Sequence, residues 1–230
     1  MHPIAQAVTA ALAGVFPPVD GGWTRVSPWR PGLEGVVAMT GHAFVAVGGE
    51  VTDARLVQLG ADGFGGAADA RFTVALAGSG YVEVNDVLLA RRAERAPRPR
   101  LVPRPDLEDH PRVRLARLLR DDVTAFGWPD PSRRDVVTLG RGVGGLTELG
   151  LELAPDGPAG AGAGVLAAAL AIPDPGTTVV AACAPGNARA VRTFLRGGFM
   201  PIGSVQLWLP ERSTGTGPHA GASGRGAGDP

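Results

Sequence analysis

A chain of 230 residues can form one large domain or two small ones, and it is long enough to bury a substantial core. Its basic and acidic side chains balance at 22 each, so it carries no general attraction for nucleic acid or acidic membranes. A lone cysteine, Cys183, excludes an intramolecular disulfide and a cysteine-based zinc site. There is no lysine; together with 35 Gly and 21 Pro, this reads as the compositional bias of a GC-rich genome. No stretch approaches the ~20 apolar residues of a membrane helix. No Arg or Lys precedes Arg25, so the charged start of a secretory signal is lacking, and the expectation is a cytoplasmic protein.

In chain order, Ile4, Val8, Leu12 and Val15 recur at helical spacing, which predicts a helix over 3–15 stopped by Pro17 and Pro18. Residues 20–32 are turn-rich and read as a surface loop. VVAMTGHAFVAVG (36–48) reads as two short strands joined near Thr40–His42. Short helices follow over 52–60 and 67–77, and 81–92 reads as a strand broken or bulged near Asn85–Asp86. A Pro/Arg-rich joint over 92–100 stays extended and solvated, and it marks a boundary. The expected organisation is a mixed α/β N-terminal region over 1–95, a second domain over 96–210 and a tail over 211–230. That tail is too polar to bury enough surface to order itself.

In the second domain, 101–104 reads as a strand and 107–120 as a helix with Leu115, Leu118 and Leu119 inward. Residues 122–128, 135–143 and 146–153 read as an antiparallel meander, with a turn at Gly144–Gly145. A glycine-rich turn over 154–164 then opens a helix over 165–172. A strand over 177–183, a helix over 186–198 and a last strand over 201–209 complete the unit. A strand feeding a glycine-rich turn at a helix start gathers backbone N–H groups for an anion.

Asn187, Ala190, Phe194, Gly198 and Phe199 fall on the pattern N-x-x-A-x-x-x-[YF]-x-x-x-G-F, which resembles the acetyl-CoA-dependent GNAT acyltransferase superfamily. Gly162 and Gly164 occupy the last places of R/Q-x-x-G-x-G/A and look like that superfamily's pyrophosphate loop. The resemblance spans 101–209. It implies an α/β class with a mixed sheet: a GNAT-like fold preceded by the smaller N-terminal region. It also implies acetyl-CoA as co-substrate, and transfer of an acetyl or short acyl group to an amine of a small molecule or peptide.

Under this resemblance, the backbone N–H groups of Gly160, Ala161, Gly162, Ala163, Gly164 and Val165 cradle the pyrophosphate. The strand residues from Leu151 to Leu153 pair with the pantetheine arm, while Asn187 and Phe194 lie beside it. The loop's usual Arg or Gln falls on Ala159, and losing such a contact costs about 1.5–3 kcal/mol. Glu148 and Glu152, four apart on one strand face, are the candidates for general base, with Glu148 better placed. Both also fit solvated carboxylates on an exposed sheet face.

Phe194 stands where many family members carry a proton-donating tyrosine, and a phenylalanine has no proton to give. Asn187 also suits a helix N-cap. Arg189, Arg192 and Arg196 form a basic stripe that meets either a phosphate or plain solvent. Cys183, His110 and His42 read as structural. Two rival readings stand beside acyl transfer: a GNAT-like binding or regulatory module without catalysis, and a nucleotide site of another α/β fold. The meander over 122–153 disfavours the second, which needs a parallel sheet. Nothing in the sequence points to an oligomeric state or a bound metal.

Overall fold

The computed structural model describes residues 1–94, 101–155, 157 and 160–212. Most of the joint at 92–100, the loop position Ala159 and the tail from 213 lie outside the described residues. The fold is mixed α/β: six α-helices and one sheet of 11 strands among the described residues.

The first helix, α1 (Pro3–Ala11), is capped by His2 and ends earlier than its apolar spacing suggests. Leu12 already closes it and Gly14 turns left-handed at φ +81°, so Val15 is exposed before either proline is reached. The expected surface loop at 20–32 contains a strand, β1 (Trp23–Val26), held by a parallel partner that only the tertiary fold supplies. That partner is β3 (His42–Ala46), which forms a hairpin with β2 (Glu34–Met39). Thr40 and Gly41 both have positive φ there, the geometry of a tight two-residue turn.

Two helices follow, α2 (Asp53–Gln58) and α3 (Ala70–Ala77). The strand expected over 81–92 is broken where the sequence indicated, into β4 (Tyr81–Val82) and β5 (Asp86–Arg92).

The second region starts with β6 (Val102–Pro103) and α4 (Pro111–Leu119), which begins at its His110 cap, not at Leu107. Leu119 is buried, whereas Leu118 points outward and is exposed, contrary to the expected inward stripe. The meander forms as read: β7 (Asp121–Gly127), β8 (Val136–Arg141) and β9 (Thr147–Glu152), all antiparallel. The helix α5 (Ala161–Leu170) starts four residues before the expected point, so much of the glycine-rich turn is helix. Then come β10 (Thr178–Cys183), α6 (Ala188–Arg196) and β11 (Met200–Leu209).

Along the sheet the order is β1-β3-β2-β11-β5-β10-β9-β8-β7-β6, with β4 on β11. The strand β5 comes from the N-terminal region, yet it lies antiparallel between β10 and β11. The two regions therefore share one sheet. Period-two alternation sends Leu88, Ala90, Val180, Val205 and Leu207 into a core with α1, and Leu89, Val179, Ala181 and Cys183 into another with α5 and α6. A third core joins Val36, Val45 and Trp208 to Leu56 of α2 and Phe72 of α3.

Glu211 and Arg212, the first residues after the expected domain end, are tied down. Arg212 donates to Leu76 O and pairs with Glu34 and Glu50, while Glu34, 2% exposed, also accepts from Trp208 Nε1 at 2.9 Å.

Candidate functional site

The site grows from the way β9 and β10 meet. Their parallel ladder has only two rungs, Val179 to Thr147 and Val180 to Glu148. Beyond them β9 stays paired to β8 as far as Glu152, and β10 stays paired to β5 as far as Cys183. Each strand is thus held on its outer edge while the inner edges, Leu149–Glu152 and Ala181–Cys183, share no rung. Unpaired strand edges carry rows of N–H and C=O groups that demand partners. The opening fits an extended, amide-bearing chain.

On the α5 side of this fork, Asp135 fixes the start of the loop after β9. Its carboxylate accepts from Ala154 N at 3.1 Å and from Trp128 Nε1 at 2.9 Å. The helix α5 begins at Gly160, left-handed at φ +83°, with no side-chain cap on its first turn among the described residues. Uncapped N–H groups and the positive end of the helix dipole favour an anion there.

The two motif glycines differ in role. A Cβ on Gly162 would lie 3.1 Å from Leu153 Cδ1 and 3.2 Å from Thr193 Cγ2, so this glycine lets α5 pack against α6 and the end of β9. Gly164 has nothing within 4 Å of such a Cβ and faces outward. Ala161 is half-buried, Ala163 exposed, and Val165 fully in the core. Leu151 and Leu153 are half-buried, packed on the core beneath α5 and α6.

Asn187 caps α6, accepting from Ala190 N at 3.1 Å. Phe194 is buried edge-to-face against Phe199, ring centroids 5.1 Å apart. Arg189, Arg192 and Arg196 are all exposed on α6.

On the opposite face of the sheet, where Ala182 and Glu148 meet the fork, a cavity of about 80 Å³ lies between β5, β9, β11 and α4. Glu148 is 3% exposed, not solvated. Its Oε1 pairs with Arg120 Nη2 at 2.6 Å and its Oε2 accepts from Val143 N at 3.1 Å. A methyl group on Gly142 would collide with this carboxylate, so the glycine makes room for it.

The other expected carboxylate, Glu152, is exposed at the end of β9. It faces Arg112 Nε at 3.6 Å and His110 Nε2 at 4.0 Å. The structure therefore separates Glu148, in the cavity, from Glu152, and it places both on the far side of the sheet from α5.

Sequence reasoning missed Asp86. It is the first residue of β5 and, paired in register with Val205, it points into the cavity with Glu83, Arg112 and Arg120. Burial, then the charges of Glu83 and Glu148, push its carboxyl up to about 7, against the opposing pull of Arg112 and Arg120. The break at Asn85–Asp86 was visible in the sequence. What surrounds Asp86 was not, because its neighbours come from β9 and α4. Burial, then the charge of Asp86, likewise pushes the Cys183 thiol up, opposed by Arg112.

Among the described residues no cluster of side chains could hold a metal ion, and no helix is long and apolar enough to cross a membrane. Neither family models, nor curated proteins, nor solved structures give a match to this chain.

Proposed function

We propose that the protein transfers an acetyl or short acyl group from acetyl-CoA to an amine. The two-rung ladder between β9 and β10 carries this reading. A pantetheine arm supplies the amides that the inner strand edges lack, and its thioester end reaches the fork beside Ala182 and Glu148. The uncapped start of α5 receives the pyrophosphate. The amine then enters from the cavity on the other face, so donor and acceptor meet across the opening and attack is direct. The GNAT-like motif residues support the same reading through Asn187 and Gly198, which start and end α6.

Calorimetry with acetyl-CoA tests it. Saturable binding by the native chain, abolished in Gly164→Leu, is the expected result. The open space at Gly164 lets that variant fold, so a lost signal there reports a blocked site. No binding at millimolar acetyl-CoA would remove the reading.

One observation favours a second reading, a donor-binding module without turnover. Phe194 brings no proton donor to the leaving thiolate and sits in the core. Binding without thiol release across a panel of amines would identify that case.

A further inference from the structure

The cavity beside the fork has more acidic groups than one ion pair requires, and they differ in how they are engaged. Glu148 has both oxygens occupied, by Arg120 and by Val143 N. Glu83 accepts from Tyr81 Oη at 2.6 Å and from Val84 N at 3.0 Å. Glu152 lies outside the cavity lining and faces Arg112 and His110. His110 itself spends Nδ1 on Arg112 N at the start of α4. Asp86 alone of these has no hydrogen bond or ion pair among the described residues, and it lines the cavity directly. Between the charged side chains the walls are aliphatic: Leu115 and Leu119 from α4, Val205 and Leu207 from β11.

We infer that Asp86 is the general base of the acyl transfer, and that the acceptor it deprotonates is a primary amine on a slender alkyl chain. This rests on the acetyl-CoA reading of the same fork. A carboxylate with free lone pairs can take a proton, whereas one already holding a guanidinium and an amide cannot do so without breaking them. The aliphatic walls and the small volume suit a few methylenes and an ammonium group.

In the reaction, the substrate ammonium gives one proton to the Asp86 carboxylate, and the neutral nitrogen attacks the thioester carbonyl. The C–N bond forms as the C–S bond breaks. The sulfur leaves as a thiolate and takes the nitrogen's remaining surplus proton, and the Asp86 carboxyl releases its own to solvent.

The groups facing Asp86 set its behaviour: Glu83 on the preceding segment, Glu148 on β9, and Arg112 and Arg120 from α4 and its end. The carboxylates and burial hold its proton at a pH where an ordinary aspartate has lost it. That places its basicity between a free carboxylate's and an alkylamine's, which is the useful range for proton transfer near neutrality.

The experiment uses the full chain with acetyl-CoA and n-butylamine, following thiol release from pH 5.5 to 9, with calorimetry of acetyl-CoA alone. The native protein should acetylate n-butylamine with a rising limb near pH 7. Asp86→Asn should lower kcat/KM by about a hundredfold or more and abolish that limb, with acetyl-CoA affinity unchanged. Asp86→Glu should restore part of the rate together with a limb. Asp86→Asn at full rate with its limb intact would overturn the base, as would a native protein that binds acetyl-CoA but leaves n-butylamine untouched. Both outcomes leave the donor site standing. Absent acetyl-CoA binding would overturn the donor site, and the base with it.

Discussion

Asp86 and Glu148 share one cavity and experience it in opposite ways. Glu148 has both carboxylate oxygens engaged, one by Arg120 and one by the Val143 amide. Asp86 meets burial and two like charges without a direct partner, so its folded-state pKa rises from 3.8 to about 7. The sign follows from proton counting. Between pH 4 and 7 the unfolded chain loses this proton while the folded chain keeps it, so the fold loses stability as pH rises through that window. Above 7 the penalty is constant. Asp86→Asn removes it: the melting temperature of the variant should match the native protein near pH 4 and exceed it increasingly up to pH 7, as calorimetric scans would show. Glu148→Ala should do the reverse, leaving the Arg120 guanidinium buried without its carboxylate and costing about 3–5 kcal/mol in urea unfolding. Because Glu148 helps hold up the Asp86 pKa, the same variant should move the activity limb to lower pH.

At the scale of elements, local chemistry was readable and remote pairing was not. The Thr40–Gly41 hairpin, the β7–β8–β9 meander and the Asn187-capped α6 rest on neighbours in sequence, and each forms as its residues indicate. The strand β1 was hidden because its pairing is with β3, beyond the hairpin turn. The early start of α5 was hidden because alternating Ala and Gly resembles a loop, and the helix there is held by contact with Leu153 and Thr193. The carboxylates at 148 and 152 were found on the strand that bears them, but a period-two pattern does not say which one is sealed in by Arg120.

The two glycines of α5 make this contrast measurable. Gly162→Val should overpack the junction with Leu153 and Thr193 and cost about 1–3 kcal/mol. Gly164→Ala, with no neighbour to meet, should stabilise the helix by up to about 1 kcal/mol. Thermal unfolding of the two variants would show shifts of opposite sign.

On the scale of the whole molecule, the governing fact is the placement of β5. It completes the sheet between β10 and β11, so the fork between β9 and β10 and the cavity beside it are braced by a strand from the other half of the chain. A fragment starting at residue 96 would leave one edge of β10 and both edges of β11 bare and open both central cores along Leu88, Leu89 and Ala90. Such a fragment should expose apolar surface and fail to fold cooperatively, measured by dye binding and by amide exchange in the β10 segment.

A ribosome makes the strand bearing Asp86 long before the two that will flank it, and β11 emerges last among the described strands. Until then, the nascent first half carries an apolar ribbon with neither side satisfied, an invitation to other chains and a natural client for a chaperone. Closing the sheet is a long-range event, slow by its nature. It seats Asp86 and the fork between β9 and β10 in one stroke, so under the proposed acyl transfer a chain terminated before β11 should be inert.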